Sequence, residues 1–186
     1  MKKNVIENIV KGIANEKNIA FNLIDKSTVK GIKKRIKFSK DMSWNTKKLN
    51  RKLLTGIQNG DSINKITESF LEIIQDNEVS ARRAARTMVT EAECSGRLDS
   101  YKELESMGVV QKKVWIATPD DRVRDEHLLM DGEEVDIDEE FSNGCMFPGD
   151  PSGDPSTVYN CRCSIKDKII GFEREDGSIS YVDYER

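Results

Sequence analysis

The sequence predicts an α+β protein: a helical N-terminal half followed by a compact C-terminal module with a small antiparallel sheet. Three observations carry that expectation. Apolar residues recur at helical spacing as far as Met107. Beyond Gly108 the pattern changes to short runs rich in valine and isoleucine, the mark of strands. Between residues 142 and 157, three of the chain's four prolines and several glycines punctuate what reads as an ordered loop rather than a linker. A length of 186 residues suits one ordinary domain with an appendage, not two full cores.

Residues 1–40 read as helix, with Val5, Ile6, Ile9, Val10 and Ile13 at helical spacing and a short apolar patch at Ile19, Phe21, Leu23 and Ile24. Lys30, Lys33, Lys34, Arg35 and Lys37 follow, broken by Ile32, Ile36 and Phe38. Such a basic amphipathic segment suits a phosphate backbone or an acidic protein face, and its plainer reading is a solvated helix face. A second helix is expected from about Asn45 to Gln58, with Leu49, Leu53, Leu54 and Ile57 as its stripe and Asn59-Gly60 as its end. A third begins at once, capped by Asp61 or Ser62, with Ile63, Ile66, Phe70, Leu71 and Ile74 on one face. Gln75-Asp76-Asn77 breaks it.

A long helix is then expected from Ser80, as N-cap, to Met107, with Gly108 as the residue after its end. Ala81, Ala84, Ala85, Met88 and Ala92 are slender enough for close packing. Arg82, Arg83 and Arg86 stand at the end of the helix that disfavours cations, so they call for carboxylate partners such as Glu91 or Glu93. Glu93 and Arg97 form a favourable pair one turn apart. Val109-Val110 and Val114 to Ala117 read as strand, and Thr118-Pro119-Asp120-Asp121 as a turn. Asp131-Gly132 is a further turn, leading to a short strand with Val135 and Ile137. Val158 to Ile165 alternates enough for a strand, and Ile169 to Tyr184 suggests a hairpin turning at Glu175-Asp176-Gly177.

The chain is 37% hydrophobic and 34% charged, and aromatics are only 6%, so the core must lean on Ile, Leu and Val. No apolar run approaches the roughly 20 residues of a membrane helix. The start, MKKNVIENIVKGIANEKN, lacks the apolar block of a secretory signal. A transmembrane or secreted protein is therefore not expected, and the four cysteines are expected to stay reduced or to bind metal. The net charge of −3 hides an asymmetry: residues 1–60 hold 15 basic and 4 acidic residues, residues 61–186 hold 15 and 29. Two different partners, or one partner with two surfaces, would suit such a split.

Within residues 119–155 the only bases among 13 acids are Arg122 and Arg124. They are expected to be clamped by carboxylates such as Asp125 or Asp131, because a guanidinium offers a two-pronged fork and tolerates burial. The single histidine, His127, lies beside them, and Cys161-Arg162-Cys163 follows about one strand-and-loop later.

An ordered set of short pieces runs through this region. It comprises Ala85-Arg86-Thr87 with Glu91, then Tyr101 and Gly108, then Lys113 to Thr118, with Trp115 at the centre. Asp121-Arg122-Val123-Arg124-Asp125-Glu126-His127 comes next, followed by Asp131-Gly132, Val135 and Phe141. Phe147-Pro148-Gly149-Asp150-Pro151 and Asn160-Cys161-Arg162-Cys163 complete it. In order and approximate spacing this resembles the domain of phage minor head proteins of the Mu F type, also called head morphogenesis proteins, over about residues 45–165. Here Met88-Val89-Thr90 separates Arg86-Thr87 from Glu91, where the family's usual pattern is contiguous. The division that follows is a basic helical segment at 1–44, the Mu F-like domain at 45–165 and a hairpin tail at 166–186, the chain being a short member or a fragment.

The resemblance implies a non-catalytic minor capsid protein of the virion, present in the host cytoplasm during assembly. Its implied partners are the portal protein, the major capsid protein and double-stranded phage DNA, with no membrane. Lys30, Lys33, Lys34, Arg35 and Lys37 would meet DNA or an acidic portal surface. Arg86, Glu91, Trp115, Asp121, Arg122, Arg124, His127, Asp131, Gly132, Asn160, Cys161, Arg162 and Cys163 would form the structural motif.

Two chemical readings stand beside it. His127, Cys145, Cys161 and Cys163 make a legitimate tetrahedral zinc set, with the two thiolates of Cys161 and Cys163 on one face of a strand. Without metal, the same cysteines are small buried hydrophobes and His127 a hydrogen-bonded core residue. Alternatively, His127 among Asp125, Glu126 and Asp131, with Arg122 and Arg124 as phosphate clamps, would suit a metal-dependent nuclease or toxin-like enzyme.

Overall fold

The computed structural model describes residues 46–74 and 77–183. The expected helix over 1–40 and the basic cluster from Lys30 to Lys37 lie outside the described residues. Within them the order is α1 (Thr46–Asn59), α2 (Ile63–Ile74), α3 (Glu78–Ser106), β1 (Val109–Ile116), α4 (Asp125–Leu129), β2 (Glu134–Asp136), α5 (Pro155–Val158), β3 (Ser164–Glu173) and β4 (Ile179–Tyr181). The architecture is α+β, as expected. No described helix is long and apolar enough to cross a membrane.

α1 and α2 form a helical hairpin because each carries one apolar stripe that must find cover. Leu53 and Phe70 are fully buried in it. Removing a side chain of that size from water is worth about 2 kcal/mol. The turn is tight: Gly60 adopts a positive φ of 67°, and the Gly60 and Asp61 amides donate to the Ile57 and Gly56 carbonyls. The two helices close at Gly56, where a Cβ would stand 2.8 Å from Ile66.

α3 is the spine. Its expected start at Ser80 is corrected by one turn. Asn77 is the N-cap, and its side chain accepts from the Ser80 amide at 2.8 Å. Asn and Ser both cap well, so composition alone did not choose between them. The first half of α3 gives Ala81, Ala84, Ala85 and Met88 to the core under the hairpin. The second half gives Cys94, Leu98 and Tyr101 to a separate core under the sheet. Gly108 follows the helix with φ 86°, the left-handed residue that lets the chain turn into β1.

The sheet is antiparallel throughout, in the order β2-β1-β3-β4. Trp115 lies opposite Ile165 in the central pair, whose register shifts between Val110 and Gln111. Gln111, Lys113, Trp115 and Ala117 alternate along the chain and are all buried, so this face of β1 looks inward. Ile137, expected in the short strand, lies just past β2 but is buried. The tail forms the expected hairpin, turning at Gly177 with φ 77°. Its first strand is longer than expected, and β3 runs unbroken through residues 165 and 166 in the middle of the sheet.

The expected strand from Val158 to Ile165 does not form. Asp154 caps a short helix, accepting from the Ser156 amide at 2.8 Å, with Pro155 in its first turn. Asn160 then reverses the chain at φ 57°, and the ladder begins only at Ser164. Of the buried residues in this run, Val158 lies in α5, Cys161 and Cys163 lie in the unpaired stretch before the sheet, and Ile165 pairs opposite Trp115.

The loop before α5 is fastened to α3 at Gly149. This residue has φ 84°, and a Cβ there would lie 2.9 Å from the Glu91 amide nitrogen. Gly149→Ala therefore adds backbone strain to a clash with helix backbone and is expected to cost about 2–3 kcal/mol in urea unfolding. A stability equal to that of the unsubstituted protein would contradict this account of the contact.

Candidate functional site

Residues 159–160 turn the chain and residues 161–163 lead into β3 with no strand beside them, so their buried backbone groups need other partners. Side chains supply them. The Asn160 amide donates to Thr87 Oγ1 at 2.9 Å, and Thr90 Oγ1 donates to the Cys161 carbonyl at 2.8 Å. Cys94 Sγ lies 3.9 Å from the Cys163 carbonyl, and Arg97 donates to the Ile165 carbonyl at 3.0 Å. These residues recur every three to four positions, so one polar stripe of α3 grips the backbone entering β3. From the other side, Thr118 Oγ1 donates to the Arg162 carbonyl at 2.6 Å and Arg124 to the Tyr159 carbonyl at 2.5 Å.

The arginine partners differ from those expected. Arg122 pairs with Asp120 at 3.3 Å, not with Asp125 or Asp131. Arg124 binds a carbonyl. Asp131 instead accepts from the Ala117 amide at 2.8 Å, closing the turn onto β1. That turn passes through Gly132, at φ 82°, whose amide donates to the Trp115 carbonyl. Asp120 also grips Arg162 with both oxygens, a fork that holds its carboxyl well below the usual carboxylate range. Asp121 is exposed beside it. On α3, Arg82 pairs with Glu78 and Arg86 donates to Asn160 Oδ1 at 3.3 Å. Glu91 is buried under the Gly149 loop.

The latch brings the histidine turn and the two thiols together. His127 lies on α4, and its Nδ1 is 3.4 Å from Cys163 Sγ and 3.7 Å from Cys161 Sγ. All three side chains are buried. The His127 ring meets Trp115 edge-on, with centroids 5.4 Å apart, and Trp115 meets Phe141 in the same way at 5.1 Å. His127 Nε2 makes no hydrogen bond, and its nearest charged neighbour is Glu126 Oε1 at 3.6 Å. The hydrogen bond from Cys161 holds the Cys163 thiol below its ordinary range, with His127 assisting, and the same bond raises Cys161.

Cys145, the expected fourth member, is not in this cluster. It is buried where a Cβ on Gly153 would collide with its sulfur, and burial pushes its thiol up to about 11. The signal placing it with the others was composition alone. The sequence assigns no site role to Thr87, Thr90, Asp120 or Lys113, although Thr87 and Lys113 stand within the ordered motif pieces. The regular step from Arg86 through Thr90 to Cys94 and Arg97 was the available clue for the first two.

A model of the family described as Phage Mu protein F like protein matches residues 47–166. Three curated relatives are similar to the chain. An NAD(+)–arginine ADP-ribosyltransferase, EFV, of Enterococcus faecalis is 33% identical over 66% of this chain and 26% of its own length. YqbB of Bacillus subtilis, which carries no functional name, is 30% identical over 85% and 55%. The minor head protein GP7 of Bacillus phage SPP1 is 27% identical over 59% and 36%. The chain thus spans between about a quarter and somewhat over half of these relatives. No solved structure matches it.

Proposed function

Because the chain belongs to the family of Phage Mu protein F like proteins, we propose that it is a non-catalytic minor component of a phage head that docks on portal and coat subunits during assembly. One observation carries the non-catalytic part. The single histidine and all four cysteines are 1–5% exposed. Acid–base or nucleophilic work on an outside substrate needs such groups within hydrogen-bond reach of it. Here they brace a core.

The relative named as an ADP-ribosyltransferase fits this reading, since only 26% of that protein is matched. The metal-dependent nuclease or toxin-like enzyme is accordingly the lesser reading.

The basic first 60 residues are assigned to double-stranded DNA or to an acidic portal surface, and the acidic remainder to a basic partner. The protein is expected to co-sediment with assembled heads at fewer copies than the coat protein. Its absence from purified heads would sink the assignment. Replacing Lys30, Lys33, Lys34, Arg35 and Lys37 with glutamine is expected to flatten the slope of log affinity against log salt by about 4 units. No DNA binding by the intact chain at low salt would remove the DNA contact.

A further inference from the structure

We propose that His127, Cys161 and Cys163 hold a structural zinc ion that pins the turn at α4 to the segment entering β3. This stands independently of any portal contact. The ligand atoms of the three residues lie within 4.8 Å of one another. For zinc–sulfur and zinc–nitrogen bonds of about 2.3 and 2.0 Å, a tetrahedral site has sulfur–nitrogen edges of about 3.5 Å. The two edges here are 3.4 and 3.7 Å.

Hydrogen bonds alone join the three groups only pairwise, Cys161 donating to Cys163 and His127 Nδ1 facing the same sulfur at 3.4 Å. Coordination through Nδ1 uses all three donors at once. It also gives His127 Nε2 the proton, and the Glu126 carboxylate lies on that side at 3.6 Å. A carboxylate behind a ligating histidine is the usual supporting arrangement.

Charge favours the same conclusion. Two thiolates neutralise one Zn²⁺, so the site adds no net charge to a place where the donors are at most 5% exposed. Binding replaces two S–H bonds with two S–Zn bonds and releases two protons to solvent, with no change of oxidation state. A thiolate pair with an imidazole selects zinc over hard cations. Three protein donors leave the fourth corner to a solvent oxygen, the pattern of an open site, while burial of all three donors keeps outside substrates from the ion and leaves it to brace the fold.

The test uses the full-length untagged chain purified without chelator. One zinc per chain is expected by elemental analysis. Cobalt(II) added to the stripped protein should give the intense visible bands of a tetrahedral site, with thiolate charge transfer. An unbuffered zinc titration should release about two protons per ion. Cys145→Ser and Cys94→Ser should keep the ion, whereas Cys161→Ser, Cys163→Ser and His127→Gln should lose it. Substoichiometric zinc, together with no tetrahedral cobalt spectrum in the wild-type chain, overturns the proposal whether or not the variants fold. Loss of the ion in Cys145→Ser overturns the three-donor set.

Discussion

Trp115→Ala is expected to lower the unfolding free energy by about 4 kcal/mol, within the usual range for truncating a fully buried large aromatic. That is a large share of the 5–15 kcal/mol by which an ordinary domain is stable. Trp115 is 1% exposed and stands on the inward face of a central strand. It touches three parts of the chain: β3 through its register partner Ile165, α4 through the His127 ring and the following loop through Phe141. Both ring contacts are edge-on, the favoured arrangement, and add to simple burial. The midpoint of thermal unfolding should fall by roughly 10 °C or more. A fall of only a degree or two would mean that the core closes over the gap and that the aromatic cluster does not organise the module.

A second large effect concerns pH. Lys113 is fully buried, and its Nζ donates to the Ile137 and Met146 carbonyls at 3.1 and 2.9 Å. Phe141 lies beneath it, 5.2 Å away. Burial, with Lys102 adding repulsion, pushes its pKa down from 10.5 to about 8. Between those two values the unfolded chain keeps the proton and the folded chain does not, so raising the pH favours folding. Below pH 8 both states are charged and the burial penalty is fully present; above 10.5 both are neutral and it is gone. The stability of the wild type relative to Lys113→Met should therefore rise by about 3 kcal/mol across this window. Comparing the two proteins cancels the other groups that titrate there. A difference that stays flat, or falls, between pH 8 and 10.5 would refute the burial of a strained charge at this position.

Much of the fold was legible because its signals are local. The apolar stripes of α1 and α2, the glycine after α3 and the glycine turn between β3 and β4 each follow from a period or a single backbone requirement. What escaped was non-local. The run from Val158 to Ile165 looks like a strand, yet Val158 lies in α5 and pairing begins only at Ser164; nothing in eight residues tells burial from pairing. The partners of Arg122 and Arg124 were sought among neighbouring acids. Arg124 uses a backbone carbonyl 35 positions away, and the carboxylate that matters, Asp120, spans the fold to Arg162. Lys113 sits in step with Gln111 and Trp115, the pattern of an inward-facing position, but its charge is the mark of an exposed one. Cys145 was grouped with the other thiols by residue type, and type carries no distance.

The grip of α3 on the segment entering β3 also bears on the order in which the chain can fold. Thr87 and Thr90 meet their partners 73 and 71 positions later. On a ribosome the long helix emerges first, with these hydroxyls turned to water and its alanine face already able to close on the preceding hairpin. The C-terminal strand must then be made before loop closure, with its entropic penalty, can draw it in. Synthesis that stops short of residue 165 would thus release a half-clothed intermediate, helical at one end and sticky at the other.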